Sequence, residues 1–116
     1  MRHRNTKKPL GRTKGPRQAL MKGLANSLIN YGRITTTVTK AKILRPYVER
    51  LVTKGRTSSL HTRRYLLAAL GNEQSVKKLL SEIGPKYATR KGGYTRIIKS
   101  KRRLGDASVM AIIEFI

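Results

Sequence analysis

Apolar residues recur at helical spacing through most of the first 85 positions and at alternating spacing near the end. Leu20, Leu24 and Leu28, supported by Met21, Ala25 and Ile29, predict a helix over 17–30 that Gly32 ends. The stretch from Arg33 to Val38 concentrates β-branched residues (Ile34, Thr35, Thr36, Thr37, Val38), which lose less in a strand than in a helix, so a short strand is expected there. Ala41, Leu44, Val48, Leu51 and Val52 then form the apolar stripe of a second helix over 39–54, stopped by Gly55. Pro46 lies inside that stripe. It removes one backbone donor and crowds the preceding turn, which predicts either a kink or a helix that begins near Arg45.

Ser58 or Ser59 can cap a third helix that runs to Leu70 and stops at Gly71. Asn72 caps a fourth, with Glu73 in its positive first turn, Val76, Leu79, Leu80 and Ile83 as its buried stripe, and Gly84-Pro85 as its terminator. Beyond Pro85 the period changes. Residues 94–100 alternate around Ile97 and Ile98, and 108–116 place Val109, Ala111, Ile113 and Phe115 on one face, which predicts two antiparallel strands. The link between them holds Lys101, Arg102, Arg103, Gly105 and Asp106, the composition of a basic hairpin tip. The order helix, strand, three helices, two strands predicts an α+β fold in two layers. Pro9, Gly11, Gly15 and Pro16 interrupt any regular pattern in 1–16, which reads as an extended basic arm ahead of a single domain over 17–116.

Charge changes the picture most. Lys and Arg number 27 against 5 Asp and Glu, a formal net charge of +22 on 116 residues. A chain of this size compacts to a radius of roughly 13 Å, so many like charges fall within or near a Debye length of about 8 Å. Folding alone raises that repulsion, whereas a polyanion relieves it and releases its own condensed counterions. Cysteine is absent, which removes disulfides, thiolate nucleophiles and Cys-ligated metal. No apolar run approaches the roughly 18 residues of a membrane span, no signal-peptide pattern follows the charged start, and no basic amphipathic segment with a broad apolar face suggests a lipid surface. An intracellular location fits.

The acidic inventory is Glu49, Glu73, Glu82, Asp106 and Glu114, none within three residues of another. Paired carboxylates for acid–base or two-metal chemistry therefore have no support, and His3 and His61 fit no metal-spacing motif. Neither a catalytic residue, a metal nor a cofactor is expected. The stretch Gly11-Arg12-Thr13-Lys14-Gly15-Pro16 has neither the spacer nor the preceding strand of a phosphate loop, so no small-molecule substrate is expected there. Flexible contact with phosphates is the better reading.

Two basic clusters carry the candidate contacts. The arm and the residue after it supply Arg2, His3, Arg4, Lys7, Lys8, Arg12, Lys14 and Arg17. Lys86, Arg90, Lys91, Arg96, Lys99, Lys101, Arg102 and Arg103 form the second, interleaved with Tyr87, Gly92-Gly93 and Tyr94 and uninterrupted by any acid. Glycines admit close approach of a sugar–phosphate backbone, and guanidiniums bridge phosphates. Tyr87 and Tyr94 suit either stacking on an unpaired base or packing in the core. Charge spread over an arm and a loop, rather than gathered on one recognition helix, favours irregular RNA over duplex DNA.

Several motifs occur together along the chain: Met1-Arg2-His3-Arg4, Leu10-Gly11-Arg12-Thr13, Gly32-Arg33-Ile34-Thr35-Thr36-Thr37, Leu44-Arg45-Pro46, Gly92-Gly93-Tyr94-Thr95-Arg96-Ile97, Arg103-Leu104-Gly105-Asp106 and the ending Met110-Ala111-Ile112-Ile113-Glu114. In this order they make a chain that resembles bacterial-type large-subunit ribosomal protein seventeen over essentially its whole length. The resemblance implies a structural, non-enzymatic constituent of the large subunit in the cytoplasm, with large-subunit rRNA and neighbouring ribosomal proteins as partners rather than an independent homo-oligomer. It implicates Arg2, Arg4, Arg12, Arg96 and Arg103 in rRNA contact. Lys91 departs from the proline many members carry before the glycine pair, and Lys7-Lys8-Pro9 departs from commoner arms.

Overall fold

The computed structural model describes residues 14–116. Helix α1 (Lys14–Tyr31) starts three residues before the expected boundary, so Lys14, Gly15 and Pro16 belong to its first turn rather than to the arm. Pro16 is tolerated because the first backbone N–H groups of a helix have no intrahelical acceptor. Its buried residues are Met21, Ala25, Leu28 and Ile29. Leu20 and Leu24 are only half-buried, so the inward stripe is rotated about one position from the leucine repeat. Gly32, at φ 80°, closes the helix with its N–H on the Leu28 carbonyl at 2.8 Å.

Strand β1 (Arg33–Thr37) leads directly into α2 (Val38–Gly55), whose first turn is capped by the Thr37 side chain accepting from the Lys40 N–H. Helix α2 runs through Pro46 without interruption, so a start near Arg45 is ruled out. Ala41, Leu44, Val48, Leu51 and Val52 are all buried along it, at about 1.5–3 kcal/mol for each larger side chain removed from water. Helix α3 (Leu60–Leu70) has Ser59 as its N-cap and Gly71 in the left-handed conformation as its stop.

The fourth helical segment departs from expectation at its end. α4 (Glu73–Lys78) is capped by Asn72, then widens into a π-helical stretch over Leu79–Ile83 and continues as α5 (Gly84–Lys86). Gly84-Pro85 therefore does not terminate the helix. The Gly84 N–H bonds five residues back to Leu79, and Pro85 falls in a fresh first turn where no N–H is required. That widened turn brings the Gly84 backbone against Gly55 at the end of α2.

Strands β2 (Thr95–Arg102) and β3 (Val109–Phe115) complete an antiparallel sheet in the order β1-β3-β2. Register pairs Arg33 with Glu114 on one side and Arg96 with Glu114 on the other. Between Lys99 and Arg102 the pairing shifts by one residue, a bulge that reverses which face Arg102 shares. The α+β two-layer architecture is as the periodicity predicts: Thr36, Thr95, Ala111 and Ile113 bury the inner face of the sheet against the helices, while Thr35, Arg96 and Ile98 are exposed on the other.

Candidate nucleic-acid interface

Edge strand β2 and the loops at its two ends hold most of the described candidate residues. Arg90, Lys91, Arg96, Lys99, Lys101, Arg102 and Arg103 are all exposed. Eight residues of strand span roughly 25 Å, so the loop at 90–93 and the hairpin tip at 103 are opposite ends of a line of cations rather than one cluster. Such a line suits a phosphate backbone better than a compact anion. Lys14 and Arg17 lie apart from it on the first turns of α1, and Arg2, His3, Arg4, Lys7, Lys8 and Arg12 lie outside the described residues.

The loop before β2 is held from beneath. Gly92 and Gly93 both take positive φ, 87° and 64°, a conformation that side-chain-bearing residues rarely adopt. The Arg90 carbonyl accepts from Arg56 Nη1 at 2.6 Å and from the Tyr94 hydroxyl at 3.2 Å, while the Arg90 side chain stays in solvent. Tyr94 itself is fully buried, within 3.1 Å of the Thr53 hydroxyl and with its ring 5.2 Å from that of Tyr87. Tyr94 is therefore not a stacking contact for a base, and its inclusion among the contact residues is corrected: an aromatic cluster of Tyr87, Tyr94 and Phe115 fills the core in a chain without tryptophan. Its part is to position the loop. Arg56, which ties α2 to this loop, carried no sequence signal beyond its charge.

Two candidate arginines are already partnered. Arg96 Nε donates to Glu114 at 2.7 Å, and Arg33 approaches the other oxygen of the same carboxylate at 3.7 Å, so one anion on the central strand fixes an arginine on each edge. A net positive charge remains in the row. At the hairpin tip Arg103 forms a two-pronged pair with Asp106, at 2.6 and 3.0 Å, and Asp106 also accepts from the Ser108 N–H at 3.1 Å. These bonds hold the Asp106 carboxyl well below the usual carboxylate range and push the Arg103 guanidinium up. Arg102 donates to the Ala107 carbonyl at 3.1 Å, and Ala107 adopts a left-handed φ of 57°. The tip is thus a structured presentation of Arg102 and Arg103 against their own turn.

A second positive surface was missed by reading clusters along the chain. Arg17 and Lys22 on α1 face Lys42 and Arg50 on α2 across a groove of about 740 Å³ floored by α3. Only spacing hints at it: each pair flanks its helix's apolar stripe, a relation visible once both helices are placed side by side. Among the described residues, Glu49, Glu73, Asp106 and Glu114 are each engaged by an arginine elsewhere, and no group of three or more His, Asp or Glu could hold a metal ion. No helix described is long and apolar enough to cross a membrane.

Comparison with known proteins agrees with the motifs. The family model described as Ribosomal protein L17 matches residues 20–116. A large ribosomal subunit protein bL17 of Helicobacter hepaticus is 53% identical over 116 residues, covering all of both chains. Its counterpart in Nautilia profundicola is 52% identical over 120 residues, covering all of this chain and 98% of the relative. That of Campylobacter lari is 50% identical over 116 residues, covering all of this chain and 99% of the relative. With a family match over most of its length and full-length relatives at about half identity, the chain belongs to the ribosomal protein L17 family.

Proposed function

We propose that the chain is a structural constituent of the bacterial large ribosomal subunit that binds large-subunit rRNA through the β2 edge, the loops flanking it and the basic segment ahead of α1. It works in the cytoplasm beside neighbouring ribosomal proteins, as one component of the particle rather than an independent homo-oligomer, and it carries out no reaction. The observation that carries this reading is the line of exposed Lys and Arg from Arg90 to Arg103, of which only Arg96, paired with Glu114, and Arg103, paired with Asp106, meet an acid. Neutralising phosphates along that line relieves a self-repulsion that a chain of +22 cannot relieve internally. Arginines contribute more than lysines where two phosphate oxygens can be bridged, because the planar fork presents fixed donors.

Sedimentation of cell extract tests it: the protein is expected to co-migrate with the large subunit through moderate salt. Binding of the purified chain to large-subunit rRNA is expected to weaken with salt at a log–log slope of roughly −5, as for about six phosphates. A protein free of ribosomes, or equal competition by duplex DNA, would overturn the assignment.

A further inference from the structure

The groove between α1, α2 and α3 is lined by apolar and by cationic side chains together. Met21, Ile43, Pro46 and the ring of Tyr47 are apolar, and the small residues Ala68 and Ala69 of α3 leave the space above them open. Tyr47 is locked in place by its hydroxyl, which donates to the Ala69 carbonyl at 2.8 Å. On α2 the lining positions fall at Lys42, Pro46 and Arg50, one face of the helix, so that two cations bracket an apolar surface. Arg17 and Lys22 close the opposite wall. None of the four cations has a carboxylate partner, and residues 1–13, which contain no acid, can supply none.

A double helix would present phosphates to the four cations but no apolar face to the Met21, Ile43, Pro46 and Tyr47 lining. An unpaired nucleotide satisfies both, since every base has an apolar face and every linkage a negative charge. The chain's own first residues do not fit, because Arg2, Arg4, Lys7, Lys8 and Arg12 share the sign of those cations. We infer that the α1–α2–α3 groove receives one unpaired nucleotide of the bound RNA, its base over Pro46 and Tyr47 and its flanking phosphates between Arg17, Lys22, Lys42 and Arg50. The inference rests on the RNA-binding reading above and adds a structural preference to it.

The full-length chain is titrated with two RNA hairpins that differ only in a single bulged nucleotide. The bulged hairpin is expected to bind about tenfold more tightly, within the range that stacking one base supplies. Ala68 is exposed, so Ala68→Leu fills the groove without touching charge or core. It is expected to erase the tenfold preference while leaving affinity for the paired hairpin and the melting temperature unchanged. Equal binding of the two hairpins by the parent chain, or a preference that survives Ala68→Leu, overturns the inference and leaves the RNA-binding reading intact. Binding of neither hairpin overturns both. Polyglutamate that binds in an Ala68→Leu-sensitive manner, with no preference between hairpins, would give the groove to an acidic protein segment instead.

Discussion

Gly84 and Gly55 meet backbone to backbone: a Cβ on Gly84 would lie 3.0 Å from the Gly55 carbonyl carbon and 3.1 Å from the Leu79 carbonyl oxygen. Neither atom sits on a flexible side chain, so an added methyl must push two helices apart. Gly84→Ala is expected to cost about 1–3 kcal/mol, or roughly 4–8 °C of melting temperature per kcal/mol. Gly23, in the middle of α1, has nothing within 4 Å of the same added atom, and Gly23→Ala is expected to stabilise by about 0.4–1 kcal/mol. Urea melts of the two variants should shift in opposite directions. An unmoved midpoint for Gly84→Ala would refute the close approach.

Tyr94 offers a sharper separation of packing from stacking. Tyr94→Phe keeps the ring and removes the hydroxyl that reaches Thr53 and the Arg90 carbonyl. A loss of about 1 kcal/mol is expected, because Arg56 still serves that carbonyl. Tyr94→Ala empties a fully buried aromatic site and is expected to cost about 3–5 kcal/mol. If the tyrosine instead served only to stack on RNA, both variants would melt like the parent chain, and Tyr94→Ala alone would lose binding because phenylalanine keeps the stacking ring.

Periodicity made most of this fold legible because the helices are amphipathic and their punctuation is local: Asn72, Ser59, Gly71 and Gly32 each act within one turn of where they stand. Gly84-Pro85 misled for the opposite reason. Its chemistry is that of a stop, but a π turn and a crossing with Gly55, 29 residues earlier, let the helix continue. The pairing of β1 with the central strand β3 is equally non-local. In the interface, exposed cations from Arg90 to Arg103 were visible as charge, whereas the burial of Tyr94 and the grouping of Arg17, Lys22, Lys42 and Arg50 depend on how separate helices pack.

The Arg103–Asp106 pair gives the hairpin tip a pH dependence of definite sign. Asp106 has a folded pKa depressed first by Arg103 and next by the Ser108 N–H, relative to an unfolded value near 3.9. Its support is therefore fully present above about pH 4 and lost as pH falls through the lower folded value. The Ser108 amide resonance and amide exchange across the tip should report the loss only in that acid range. In Asp106→Asn the step should vanish. Because both side chains are exposed, added salt should shrink the effect. A transition at or above pH 5 would contradict the geometry.

The line of cations on β2 predicts a graded change in salt dependence. Replacing Lys99, Lys101 and Arg102 together by Gln removes three exposed charges from the strand edge and should reduce the magnitude of the log–log slope for rRNA binding by roughly 2 to 3. Arg64→Gln, on the exposed surface of α3, should leave it unchanged. Filter binding at several salt concentrations measures both. Equal slopes for the triple variant and the parent would remove β2 from the interface.

Self-repulsion also makes the free protein a sensor of its ionic surroundings. At about 0.01 M salt the Debye length is near 30 Å, so nearly every pair of the excess positive charges repels; at about 0.15 M it is near 8 Å and only close neighbours do. The unfolded chain spreads the same charges further apart, so screening favours the compact state. The melting temperature of the isolated protein should rise with sodium chloride. It should rise further at equal ionic strength with sulfate, which is also excluded from the protein surface, and further still with rRNA, whose shape fits the folded form better than the unfolded chain. Thermal melts across the series separate these contributions. A melting temperature indifferent to all three would mean that +22 is already balanced within the fold, which the five carboxylates of this chain could not achieve.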